Sequence, residues 1–186
     1  DAKSTNYAAT KRIQEICRVN QIPLVYASSS CIHAWHKSPY GISKRVNEIT
    51  AYTTPFGVNN QVGLRFTTVY GDGARDTMFM GKLMRGEIKY ATNHVRDFIH
   101  VDDVVKAIMI FINTGTKGKL PAYDVGTGTG HIVSKLAQIK YPNIEIREGD
   151  DCEAQDNTAD NSDLRALGWE PTINARGYVQ NNGNVI

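Results

Sequence analysis

An α/β fold built on a parallel sheet is the class this sequence predicts, and three observations predict it. Short apolar runs of strand length, at 22–27 and 61–66, alternate with segments of helical periodicity. The alternation continues from residue 22 to residue 140, instead of strands in one block and helices in another, which calls for crossover connections. A row of hydroxyls, Ser28–Ser30, follows the first apolar run directly, where open parallel sheets gather their ligands.

Each element has its own local reason. Ala9, Ile13, Ile16 and Cys17 recur at helical spacing within residues 4–19. The run Ile22–Ala27 carries its proline only near the start, as a buried strand requires. Ser38 and Pro39 open a helix, the serine as N-cap and the proline with its φ already set for the first turn. Ile42, Val46 and Ile49 share one face of that helix. Next come a strand over 61–66, a helix over 76–85, a strand over 98–101 and an apolar helix over 102–113. A strand at 123–125 leads through the tight loop Gly126–Gly130 into a helix over 132–140. Residues 150–163 are acidic and loop-like, and a short helix at 164–168 precedes Trp169 and Pro171.

Composition narrows the function classes. At 186 residues, with 41% hydrophobic and 22% charged, the chain has the make-up of an ordinary globular domain able to bury a core. The net charge is +2 and its cations are scattered, which argues against nucleic acid as a partner. The longest apolar run, Ala107–Ile112, is too short to span a bilayer, and the polar start has no signal-peptide character. Cys17, Cys31 and Cys152 form no C-x-x-C pair and leave an odd count, which favours reduced thiols in a cytoplasmic compartment over a disulfide framework.

Tyr40 and Lys44 lie four apart on the helix opened by Pro39 and so share a face. The pattern alone is weak, because Tyr7 and Lys11 repeat it. Context separates the two. The serines past the strand end stand ten residues before Tyr40, whereas Tyr7–Lys11 has no such neighbour and reads as a half-exposed helix pair. His33 and His36 have no third ligand at metal-site spacing and read as loop residues, and His94 and His100 as structural or solvated ones.

Six segments together resemble the extended short-chain dehydrogenase/reductases, the NAD-dependent nucleotide-sugar epimerases and dehydratases. They are LVYASSSCIHA, SPYGISKRVNE, GLRFTTVYGDG, RDFIHVDDVVKAI, YDVGTGTG and TADNSDLRALGWEP, in the family's order. The resemblance implies a partial Rossmann-like, doubly wound parallel sheet with a small C-terminal substrate-binding part. Residues 1–70 would be the remainder of the Rossmann-like domain with the catalytic motifs. Residues 71–186 would complete the sheet and form the substrate-binding part.

In that family Tyr40 would be the base, Lys44 would stabilise its phenolate, and Ser29 would hold the reacting oxygen, with Ser30 as the alternative and a substrate contact. A tyrosine with a pKa near ~10 needs such help to act at neutral pH. Tyr40, Lys44 and Phe66 are the implied NAD-binding residues, with NADP left open. Ser30, Thr68, Arg75 and Arg96 are the implied substrate contacts, Arg96 at the nucleotide diphosphate. Thr68 followed by Arg75 is similar to UDP-glucuronate 4-epimerases, where both lie by the sugar carboxylate; the plain alternative for Arg75 is a solvated loop arginine.

The family's Gly-x-x-Gly-x-x-Gly turn, which seats the pyrophosphate on a helix N-terminus, does not occur in these 186 residues. Weak or absent NAD binding by the isolated chain is therefore expected. So is a partner over the open sheet edge, with a homodimer favoured by the resemblance. Two other classes stay open. One is a sugar-nucleotide-binding remnant without redox activity. The other is an S-adenosylmethionine methyltransferase, or a degenerate dinucleotide site, built on Gly126–Gly130 with Glu145 as ribose ligand.

Overall fold

A computed structural model of the protein describes residues 2–52, 60–117 and 119–183. A π-helical segment, Ala2–Ala9, runs into helix α1 (Thr10–Val19), and strand β1 (Leu24–Ser29) ends in a 3-10 segment, Ser30–Lys37. Helix α2 (Pro39–Tyr52), strands β2 (Gln61–Phe66) and β3 (Thr68–Tyr70) and helix α3 (Phe79–Arg85) follow. Then come β4 (Tyr90–Thr92), β5 (Val95–His100), α4 (Val101–Thr114), β6 (Ala122–Val125) and β7 (Gly130–Ile132). The order closes with α5 (Val133–Gln138), β8 (Glu145–Arg147), α6 (Ser162–Arg165) and α7 (Ala175–Gln180).

The long elements form where their patterns place them. β2 spans the six residues of its apolar run. β1 starts two residues after the run Ile22–Ala27 begins and continues to Ser29, because its backbone ladder with β2 extends through Ser29↔Phe66. The strand foreseen at 98–101 is Val95–His100: His100 is its last ladder residue, opposite Tyr70, and also caps α4, its Nδ1 accepting from the Asp102 amide. α3 begins only at Phe79 and stops at Gly86, whose φ of +76° is the left-handed conformation glycine adopts at no steric cost. Ile132, expected in a helix, closes β7 instead, and the short C-terminal helix sits at Ser162–Arg165, ahead of 164–168.

The strands of the described residues make three small sheets. β1, β2 and β6 are parallel in that order, so the C-terminal ends at Ser29, Phe66 and Val125 lie side by side. β3 pairs parallel with β5, β5 antiparallel with β7, and β4 parallel with β8. One core packs Val62, Leu64, Ile99, Phe111 and Trp169 between the first sheet, α4 and α6. A second packs Tyr70, Met80, Leu83, Phe98 and Tyr178 beneath α3, α5 and α7.

Asp103 ties the C-terminal segment to the first core. It is fully buried, and its carboxylate accepts from the Thr172 and Ile173 amides and from Lys106 Nζ at 2.9 Å. Burial alone would raise its pKa, but these donors outweigh burial and lower it. Its own carbonyl takes the Trp169 indole N–H at 3.0 Å.

Candidate functional site

Five of the residues singled out from sequence, Ser29, Ser30, Tyr40, Lys44 and Phe66, lie where β1, β2 and β6 end. Ser29, the last residue of β1, also caps the 3-10 segment, its Oγ accepting from the Cys31 amide at 3.2 Å. That segment is the chain's whole path from the serines to α2, and it returns Tyr40 to the strand end. The Ser29 side chain lies near enough to the Tyr40 phenol to act on its ionisation. Desolvation raises the Tyr40 pKa, and Ser29 and the Arg75 charge pull against that rise.

Lys44, one turn on from Tyr40, is only 8% exposed. Its Nζ donates to the Ala27 carbonyl at 2.8 Å and stands 5.7 Å from the centre of the Tyr40 ring. Burial lowers its pKa. Ser30 is buried beside Ser29. Phe66 ends β2 in register with Ser29 and packs against the first core.

Thr68 and Arg96 line a cleft of about 560 Å³ together with Lys82, Lys89, Tyr90 and Glu153. Thr68 Oγ1 accepts from Asn157 Nδ2 at 3.4 Å. Arg75 is exposed beyond β3; its charge reaches Tyr40, but it is not part of the cleft wall. The sugar-side contacts implied by resemblance are therefore divided between the cleft and the strand ends.

Several site residues were not legible in the sequence. Glu48, fully buried on α2, accepts from the Ser28 hydroxyl at 2.5 Å and from two nitrogens of Arg65. Arg65 reaches on to Asp124 at 3.3 Å, and Asp124 pairs with His33 Nε2 at 2.7 Å. The hydrogen bond to Asp124 raises the His33 pKa despite partial burial. The i,i+4 spacing of Lys44 and Glu48 on one helix face was the one available signal for this network.

The glycine loop has its own internal occupant. Asp97 accepts from the Thr127 and Gly128 amides, each at 2.9 Å, and from Ala159 N at 3.2 Å. A Cβ on Gly126 would come within 2.6 Å of the Asp97 carboxylate. The amide donors a cofactor would need are thus turned onto a side chain, which removes the physical basis for a methyltransferase or dinucleotide loop there. Glu145 lies in β8, bonded to Arg147 at 2.7 Å.

Comparison with known proteins identifies the family. The NAD dependent epimerase/dehydratase family matches residues 1–126. CDP-abequose synthase of Salmonella typhimurium is 31% identical over 166 residues, covering 78% of this chain and 55% of its own. UDP-glucuronate 4-epimerase 4 of Arabidopsis thaliana is 30% identical over 168 residues, covering 75% of this chain and 36% of its own. The chain thus spans about half or less of these relatives. Among solved structures, MoeE5 in complex with UDP-glucose and NAD superposes with a TM-score of 0.78 at 26% identity, over 95% of this chain and 69% of that one. Carrying the family's sequence pattern on its fold, the chain belongs to the NAD-dependent epimerase/dehydratase family.

Proposed function

We propose that the chain supplies the catalytic and sugar-binding parts of an NAD-dependent nucleotide-sugar epimerase acting on UDP-uronates. One observation carries the reading: the buried Lys44 ammonium stands 5.7 Å from the centre of the Tyr40 ring at the strand end where Ser29 lies near the phenol. In this reading Tyr40 takes the proton from a sugar hydroxyl, Ser29 holds the reacting oxygen, and Lys44 stabilises the phenolate against the desolvation that otherwise opposes it. Residues 1–70 carry these groups and Thr68 of the cleft wall, and residues 71–186 carry the rest of the substrate-side cleft.

The residues present fit one end of NAD. Lys44 spends one ammonium N–H on Ala27 and keeps two for ribose hydroxyls. Tyr40 and Phe66 stand at the same strand ends. When bound, NAD supplies the hydride acceptor and a positively charged ring. The pyrophosphate end has no glycine turn in this sequence, so NAD titrated calorimetrically into the chain alone should bind weakly. Sub-micromolar affinity would overturn that assignment.

The decisive assay incubates UDP-glucuronate with NAD and follows UDP-galacturonate by chromatography. Tyr40→Phe should abolish conversion while leaving thermal unfolding unchanged, because only the phenolic oxygen is removed. No conversion by the wild type, or equal rates for the two proteins, rejects the catalytic reading and leaves a sugar-nucleotide-binding remnant.

A further inference from the structure

Arg96 is held in place before any ligand arrives. Its Nη1 donates to the Val95 and Ala154 carbonyls, each at 2.8 Å, and the β5 amide of Val95 donates to Gln155 O, so the arginine and the 154–155 backbone form one rigid block. Its Nη2 has two N–H groups. One meets His94 Nδ1 at 3.1 Å and the other meets the Glu153 carboxylate at 2.6 Å. The cationic cleft therefore already contains an anion, and it comes from the protein.

The two partners differ in exposure. Arg96 has a side chain only 14% exposed, whereas that of Glu153 is 61% exposed. Glu153 sits on a turn whose hydrogen bonds leave its carboxylate alone. Its amide donates to Asp150 O, the Asp150 carboxylate accepts from Cys152 N, and Lys37 Nζ donates to the carbonyls of Asp151 and Glu153 at 3.2 Å. The carboxylate can swing into water without breaking this turn, and Arg96 cannot follow it.

We propose that Glu153 is a built-in competitor for the ligand's phosphate at Arg96, so that binding exchanges one anion for another and the cleft selects ligands charged enough to win. The proposal rests on the reading of the cleft as a nucleotide-sugar site. An exposed ion pair is a weak one, so its displacement lowers affinity modestly and leaves the site usable. Selectivity follows from the same exchange. A group that brings no phosphate cannot displace Glu153 and gains nothing from its removal, whereas a diphosphate gains in full.

Calorimetric titration with UDP and with uridine tests this on the 186-residue chain. Glu153→Gln keeps the side chain's size and removes its charge. It should tighten UDP binding about threefold to fivefold and leave uridine unchanged, and Glu153→Ala should do the same. Arg96→Met should weaken UDP and cancel the gain when combined with Glu153→Gln. If Arg96→Met weakens UDP but neither Glu153 variant tightens it, the competitor idea fails and the nucleotide site stands. If Arg96→Met leaves UDP affinity unchanged, the placing of the diphosphate fails and the proposal falls with it.

Discussion

Arg65 grips the fully buried Glu48 with two nitrogens, Nε to Oε1 at 3.0 Å and Nη2 to Oε2 at 2.9 Å. This fork ties β2 to α2 directly below the strand ends that carry Ser29 and Phe66. Burial opposes the Arg65 charge, but Glu48 and Asp124 outweigh it and raise its pKa. Ser28 donates to the same Glu48 oxygen, so the residue next to Ser29 is held by the same network.

Breaking one side of this pair leaves an uncompensated buried charge. Arg65→Met should therefore destabilise the chain by about 3–5 kcal/mol in urea denaturation, and Glu48→Gln by less, because an amide can still accept from Ser28 and Arg65. A loss below about 1 kcal/mol for Arg65→Met would show that water reaches Glu48 and that the pair does not organise the strand ends.

The contrast with Tyr40 and Lys44 shows what the sequence could reveal. Those two lie one helical turn apart, and Ser29 lies at a strand end readable from its apolar run, so local periodicity sufficed. The bonds of His33 to Asp124 and of Asp97 to Thr127 span 91 and 30 residues and depend on where β6 and β5 sit in their separate sheets. β3, β4, β7 and β8 are three residues long, too short for a period, and exist because their partners are beside them. The helices α1 and α2 invert the usual pattern. Their inward residues include Gln14, Ser43, Lys44, Asn47 and Glu48, while Ile13, Ile16 and Ile42 are turned outward. An apolar stripe marks a helix face but does not say whether that face meets this chain's core or another surface.

His33 gives the fold a pH dependence of defined sign. Its bond to Asp124 raises its folded pKa above the ordinary histidine value. Such a group contributes stability that is fully present below the unfolded value and is lost as pH rises through the folded one. His33→Gln should therefore lower the melting temperature at about pH 5.5 and have little effect at about pH 8.5, bracketing the ordinary value near ~6.5. An equal loss at both values would assign the effect to packing and not to charge.

The outward stripe of α1 and α2 supports a homodimer, the partner we propose for these helices. Ile13, Ile16 and Val19 are 50%, 49% and 71% exposed, and Ile42 and Tyr52 on the neighbouring helix are 43% and 44% exposed. Exposed apolar side chains on two helices in contact offer the apolar area that the isologous contact of a twofold dimer requires. Light scattering should give twice the mass of the chain, and Ile16→Glu should halve it without changing the circular dichroism spectrum. A monomeric wild type at tens of micromolar would reject the interface.

The sugar preference rests on Arg75. Its guanidinium is exposed just beyond β3, approaches Met78 Sδ at 4.0 Å, and is near enough to Tyr40 for its charge to lower the phenol's pKa. Thr68, seven residues earlier, lies in the cleft wall. A sugar held between cleft and phenol would therefore pass close to a cation with no carboxylate in the contacts described for it. A guanidinium fork matches a carboxylate in shape and charge, and a charge-assisted bond of this kind outweighs a neutral one. UDP-glucuronate should bind more tightly than UDP-glucose in calorimetric titration. Arg75→Ala should erase the difference, costing the acid about 1.5–3 kcal/mol and the neutral sugar little. Equal affinities in the wild type would remove the uronate assignment, and a loss shared by both sugars would make Arg75 a general determinant of site geometry.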